Sequence, residues 1–308
     1  MKAVVTGVAG FIGSRLADAL LGEGCHVVGV DSLNDYYEPE QKRANVSHLL
    51  NSRNFDFLEA DLLSVDLSEM LSGAPNVFHL AGQPGVRASW GTGFEPYLRN
   101  NIAVTQRLLE ACRNAQVERF VYSSSSSVYG DALRHPTPET ALPQPRSPYG
   151  VSKLAAEHLV SLYAKSWGLP TVSLRYFTVY GAGQRPDMAI ERLIRAARSG
   201  SEFAVFGDGS QSRDFTHVSD VVRANQLAVK AEVEPGEVLN IAGGSQATLL
   251  DVISAVEKAM QDPINLRWEP VAAGDVHITS ALTDRARFTL GWAPEVSLAD
   301  GIAEQVNG

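Results

Sequence analysis

Eight residues, Thr6-Gly7-Val8-Ala9-Gly10-Phe11-Ile12-Gly13, constrain this chain more than any other stretch. They join an apolar run, Lys2–Thr6, to a segment, 11–23, in which Ile12, Leu16, Ala19 and Leu20 recur at helical spacing. A strand that turns through glycines into a helix is a phosphate cradle. Gly7 permits the sharp turn, Gly10 lets backbone approach a pyrophosphate, and Gly13 lets helix and strand pack closely. The new helix then turns its free N–H groups toward the phosphates.

A second strand, 25–30, ends at Asp31. A carboxylate there accepts hydrogen bonds from adenosine ribose hydroxyls and repels a 2′-phosphate, so NAD is expected rather than NADP. Phe55–Glu59, 76–81, 119–123 and Thr171–Tyr176 read as four more strands, with helix patterns near 94–115 and 148–167 between them. Asp61, after the third strand, is expected beside the adenine. Alternating strands and helices predict an α/β fold, a Rossmann-type doubly wound parallel sheet, and the near-continuous apolar strands fit burial on both faces. Beyond residue 176 the elements shorten. The expectation is a dinucleotide domain over 1–176, rejoined by chain from about 210–242, and a smaller C-terminal α/β substrate-binding lobe over 177–308.

Composition narrows the partners. A net charge of −9 over 308 residues argues against a general nucleic-acid binder. Cys25 and Cys112 lie far apart without metal or disulfide spacing. Neither His79 nor His217 has a partner at metal spacing, so no metal is expected. Met-Lys runs at once into a strand, and no apolar run reaches the roughly 18 residues that cross a bilayer. A soluble, cytoplasmic protein is the expectation.

Two stretches carry chemistry. Ser147 to Lys153, SPYGVSK, places Tyr149 and Lys153 four apart, on one face of a helix start. A tyrosine is a poor base at neutral pH unless cations favour its phenolate. Lys153 and a nicotinamide ring are the expected cations. Tyr149 would then take a hydroxyl proton while hydride leaves the same carbon, and Lys153 would also reach the nicotinamide ribose. The other stretch, Tyr122 to Gly130, YSSSSSVYG, holds five serines and reads in isolation as a linker. It follows Arg119-Phe120-Val121-Tyr122, which looks like a buried strand, so the run is either a linker or a set of hydroxyls gathered for chemistry.

TGVAGFIG, HLAGQ (79–83), SSSSSVYG, SPYGVSK, RYFTVYG (175–181), GDGSQSRDFTHVSDV (207–221) and AGDV (273–276) occur in the order found in the extended short-chain dehydrogenase/reductases, and the chain resembles the nucleotide-sugar epimerases and dehydratases of that family over its whole length. DSLNDYY (31–37), GVRASW (85–90) and RYFTVYGAGQRPDMA (175–189) look most like UDP-glucuronate 4-epimerases. The resemblance implies a third catalytic residue, Ser125, beside Tyr149 and Lys153. It also implies that Phe11, Ile12, Asn34, Leu62, Leu80, Ala81, Gln83, Asn100, Ser123 and Tyr176 join Gly7, Gly10, Gly13, Asp31 and Asp61 around NAD. A homodimer through the helices near 94–115 and 148–167 is a further implication.

Ser126 and Ser127 bear on the reaction type. In the family's 4,6-dehydratases these positions are typically Asp and Glu, whose acid–base work serines cannot do. Hydroxyls suit a different role. Ser126, Ser127 and Thr178 are expected to hold the C6 carboxylate of a UDP-hexuronate and limit its decarboxylation at the 4-keto stage. Arg185 and Arg213 are expected at the diphosphate, since guanidinium forks match phosphate oxygens; Arg87 and Arg192 are further candidates. Gln211 and Asp275 are implied at the nucleotide. Relatives often carry an arginine before the Gly-Asp pair, where this chain has Val271-Ala272-Ala273 before Gly274-Asp275. The expected activity is reversible inversion at C4 of UDP-glucuronate. UDP-glucose or UDP-N-acetylglucosamine 4-epimerisation is the alternative, with a decarboxylase, a dehydratase or a non-catalytic NAD-binding protein beyond it.

Overall fold

A computed structural model describes residues 1–271 and 276–308. The strands are β1 (Lys2–Thr6), β2 (His26–Asp31), β3 (Phe55–Glu59), β4 (Asn76–His79), β5 (Arg119–Ser125), β6 (Thr171–Tyr176), β7 (Thr178–Tyr180), β8 (Phe203–Phe206), β9 (Ser212–His217), β10 (Glu237–Ile241), β11 (Ser245–Thr248) and β12 (Leu266–Glu269). The helices are α1 (Phe11–Gly22), α2 (Pro39–Ser47), α3 (Leu67–Leu71), α4 (Glu95–Tyr97), α5 (Val104–Ala115), α6 (Pro148–Trp167), α7 (Ala189–Ser199), α8 (Val218–Lys230), α9 (Leu249–Met260), α10 (Asp284–Leu290) and α11 (Leu298–Asn307).

Seven strands form one parallel sheet in the order β10-β6-β5-β4-β1-β2-β3. Both faces are covered, as the apolar strands require. Ala3, Val5, Val27, Phe78 and Val121 pack with Leu16 and Leu20 of α1 and Val221 and Ala224 of α8. The alternate residues, Val4, Val28, Val77 and Phe120, pack with α3, α5 and α6 through Leu71, Leu108, Cys112, Ala156 and Val160. The order of connection reverses at β1, whose neighbours are β2 and β4. An open α/β sheet leaves its ligand crevice at such a switch point, beyond the carboxyl ends of the strands.

The chain after β6 builds a second assembly. A three-stranded sheet, β11-β9-β7, and a two-stranded one, β12-β8, enclose Ile190, Leu193, Phe203, Val205, Val252 and Val256. Between its parts, α8 and β10 return to the large sheet, where β10 pairs with β6. Cys25 and Cys112 are buried and free.

One expected helix is broken. The segment near 94–115 is α4, a π-helical stretch over Leu98–Ala103, and α5. Asn101, in that stretch, takes the Gln83 N–H at 2.6 Å and donates to the Gln83 carbonyl and to Ser152 Oγ of α6. A wide turn is how a helix bends to deliver such a side chain.

Candidate active site

The glycine turn is built as its residues require. Gly7 has φ +69, a conformation that other residues adopt at a cost, and a Cβ there would lie 2.7 Å from the Ala81 nitrogen. At Gly13 a Cβ would overlap the Gly7 carbonyl. Gly10 caps α1 with no side-chain partner and no acid in the first turn, which leaves the helix N–H groups open. Asp31 takes the Ala9 N–H at 3.0 Å and the Leu33 N–H at 2.9 Å. Burial raises its pKa, against those N–H groups and the Lys42 cation. A bare helix end, a glycine cradle and an oriented carboxylate fit a dinucleotide.

All the side chains assigned to the cofactor line one cleft with this turn: Phe11 and Ile12 at the helix start, Asn34, Asp61 and Leu62 on one side, Leu80, Ala81, Gln83 and Asn100 on the other, and Ser123, Tyr149, Lys153 and Tyr176 at its far end. Asp61 is paired there with Arg99. Sequence reading missed Tyr36, Tyr37, Lys42 and Asn101, which also line it. Lys42 donates to the Asn34 carbonyl at 2.5 Å, fixing a loop that has no periodic pattern. His79 is a satisfied structural residue, bonded to Thr6 and Thr105, with its pKa pushed down to about 3 by burial.

Tyr149 stands in the first turn of α6, capped by Ser147, whose hydroxyl accepts from the Gly150 N–H at 3.1 Å. Its ring meets Tyr97 edge-on at 6.1 Å. Burial raises the phenol above its ordinary pKa, opposed first by a hydrogen bond with Ser125 and then by the Arg185 guanidinium. Lys153 Nζ donates to the Ser123 carbonyl at 2.5 Å and lies over the Tyr122 ring at 4.5 Å. Its own pKa is pushed down to about 7 by burial.

The serine run is a strand end. Ser123, Ser124 and Ser125 finish β5, and Ser126 and Ser127 open a tight turn in which the Ser127 N–H donates to Ser125 Oγ at 3.1 Å. Ser126, Ser127 and Thr178 are half-buried, and Thr178 opens β7 opposite Phe215. Arg185 was expected at the diphosphate. It lines the same cleft as Tyr149 and is doubly bonded to Asp187 at 2.9 Å, with the Tyr36 hydroxyl on the same carboxylate.

Among the described residues that line this cleft, Arg87, Arg192, Gln211 and Arg213 do not appear. Arg213 donates to the carbonyls of Ser212 and His277 at 2.9 and 3.3 Å. Arg87 covers the Phe206 ring at 4.3 Å, and Gln211 donates to the Phe206 carbonyl at 3.2 Å. Arg192 lies within electrostatic reach of Arg87. Asp275 lies outside the described residues. Among the described residues no group of three or more His, Cys, Asp or Glu side chains converges to hold a metal, and no helix is long and apolar enough to cross a membrane.

The crevice at the sheet's switch point, with a phenol four residues ahead of a buried lysine, is that of the short-chain dehydrogenase/reductase fold. Within that class the chain belongs to the NAD dependent epimerase/dehydratase family, whose model matches residues 3–242. It is 42% identical, over 99% of its length and 97% of the relative's, to a Bacillus subtilis (strain 168) protein named "Uncharacterized UDP-glucose epimerase YtcB". To the UDP-glucuronate 4-epimerase of Thermodesulfobacterium geofontis (strain OPF15) it is 35% identical, over 99% and 94%. The crystal structure of UDP-glucuronic acid 4-epimerase from Bacillus cereus, in complex with UDP-glucuronic acid and NAD, superposes with a TM-score of 0.97 at 44% identity, covering 100% of this chain and 98% of that one.

Proposed function

We propose that this chain is an NAD-dependent UDP-sugar 4-epimerase whose substrate is UDP-glucuronate, inverted at C4 through a transient 4-keto sugar. One observation carries the choice of a uronate. At the reacting end of the cleft Tyr149 and Arg185 line the same cavity, while the turn that follows Ser125 holds Ser126 and Ser127 and no acid. A cation with hydroxyl donors suits a sugar that carries a carboxylate. The likeness to the Bacillus cereus enzyme, held with UDP-glucuronic acid and NAD, supports the same reading.

Bound NAD supplies the hydride acceptor and donor for C4. Tyr149 receives the O4 proton and later returns it. Ser125 shares a hydrogen bond with that phenol and stabilises its ionised form, and Arg185 adds a favourable charge. Lys153 keeps its donor on the Ser123 carbonyl, which fixes the floor of the site. Ser126, Ser127 and Thr178 orient the carboxylate and hold the C5–C6 bond out of line for loss of CO2. Arg87 and Gln211, gathered at Phe206, serve the nucleotide end. The smaller assembly after β6 is the substrate lobe, and the working form is a homodimer.

NMR of UDP-glucuronate with the purified protein, with and without added NAD, tests the reading. UDP-galacturonate is expected, with little UDP-pentose. Thr178→Ala and Ser127→Ala should weaken UDP-glucuronate binding and raise the pentose share several-fold. If both leave affinity and product ratio unchanged, the carboxylate assignment falls. The name carried by the Bacillus subtilis relative favours a second reading, a neutral UDP-sugar substrate. Turnover of UDP-glucose at least as efficient as that of UDP-glucuronate would establish it.

A further inference from the structure

Three polar residues of α6, spaced four apart, meet three consecutive residues of β5. Tyr149 is close enough to the Ser125 hydroxyl for that group to favour its phenolate. Lys153 Nζ sits on the Ser123 carbonyl at 2.5 Å. Glu157 takes the Ser124 hydroxyl on Oε2 at 2.6 Å. Only the first two pairs have a part in the chemistry described above. The third is built more heavily than either.

Arg175, opposite Ser124 on β6, clamps the carboxylate from the other side, with Nε to Oε2 at 3.0 Å and Nη2 to Oε1 at 2.6 Å. Both side chains are only 5% exposed. The guanidinium also lies over the Tyr129 ring at 4.6 Å and donates to the Glu139 carbonyl, and the Tyr129 hydroxyl donates to Asn240. A buried ion pair is weak evidence for stability, because desolvation offsets its attraction and apolar pairs of like volume often do as well. This one adjoins the reacting phenol and lysine.

We propose that Glu157 is a positioning residue for the epimerase reaction: clamped by Arg175, its carboxylate fixes Ser124 at the end of β5, and with it the Ser123 carbonyl on which Lys153 sits. The inference rests on the functional reading above. Lys153 lies over the Tyr122 ring of β5, with Tyr149 on its own helix and His79 of β4 within electrostatic reach. Of the groups acting on it, Glu157 supplies the opposing charge, one helical turn away. Tyr122, Tyr129 and Arg175 are the other titratable or charged groups facing Glu157 from β5, the turn after it, and β6. Movement at Ser124 is transmitted to its neighbours, Ser123 and Ser125, which hold Lys153 and Tyr149.

Glu157→Gln keeps an acceptor for Ser124 and removes the charge. Its kcat is expected to fall about tenfold, a part of what acid–base catalysis contributes, while KM and retained NAD stay within about twofold. NMR of 13C-labelled Lys153 should show its pKa lowered by about one unit. Glu157→Asp should recover part of both. Ser124→Ala, which leaves the ion pair intact, should lower kcat severalfold without moving the lysine titration. If Glu157→Gln does not fold, Glu157→Gln with Arg175→Met removes the unpaired cation, and the kcat loss should persist. A folded Glu157 variant with wild-type kcat and lysine titration, or one losing kcat only in proportion to NAD content, overturns the proposal. Wild-type protein that converts no UDP-sugar overturns the functional reading instead.

Discussion

Lys153 occupies a place unfavourable to its charge. Burial pushes its pKa from the ordinary lysine range down to about 7, against the pull of Glu157. An unfolded lysine holds its proton up to about pH 10.4. The folded state therefore binds fewer protons between pH 7 and that value, and stability rises with pH across the window. Below pH 7 the full penalty of the buried ammonium applies, on the order of a few kcal/mol. Lys153→Met should thus melt several degrees higher than wild type at pH 6, with the gap narrowing by pH 9, and lose at least about a thousandfold in turnover. A variant that melts lower at pH 6 would contradict this account. The spacing of Tyr149 and Lys153 was legible because i and i+4 share a helix face. The depth of burial was not: Lys153 is almost wholly enclosed, with its Nζ on the Ser123 carbonyl.

At the scale of elements, α6 lies across β5 and β6 of the large sheet and has two faces of different character. Its inner face carries Tyr149, Lys153 and Glu157 against β5, and its outer face exposes Val151 and Leu162, 48% and 53% accessible. Leu98 of the π-helical stretch and Trp167 at the end of α6 are also exposed, the latter with Arg113 over its ring. Large apolar side chains on the outer faces of adjoining helices are the composition of a self-association surface. Leu162→Arg should convert a dimer to monomer in sedimentation at micromolar concentration. A wild-type monomer under the same conditions would end the dimer proposal. The strand was readable over 119–123, whereas its extension through Ser125 followed only from the family resemblance. The break at Leu98–Ala103 was not readable, because its cause is a long-range hydrogen bond from Asn101 to Gln83 and Ser152, to which local periodicity is blind.

Over the whole molecule, the parallel sheet was legible from strands that are apolar on both faces, and a smaller C-terminal lobe was expected, whereas the strand pairing within that lobe was not legible. Its strands are short, and β8 and β12 pair across more than fifty residues of chain, a partnership that no local pattern announces. The cofactor links the two scales, since it binds only where all the sheet's loops are in place. A ligand that binds the folded state alone stabilises it by about 2.7 kcal/mol at a hundred times its Kd. NAD at that level should therefore raise the melting temperature by roughly 5 °C. NADP should raise it by less than about 1 °C, because a 2′-phosphate would meet the oriented, buried carboxylate of Asp31, with Glu59 adding to the negative field. The same residue makes a second, opposite demand. Asp31→Ala frees the Ala9 and Leu33 N–H groups, so the cofactor-free protein should lose about 1–3 kcal/mol. Differential scanning calorimetry of both proteins with each dinucleotide separates these effects. If NADP stabilises the wild type as much as NAD does, Asp31 does not select the cofactor; if Asp31→Ala melts unchanged without ligand, its carboxylate does not hold the turn.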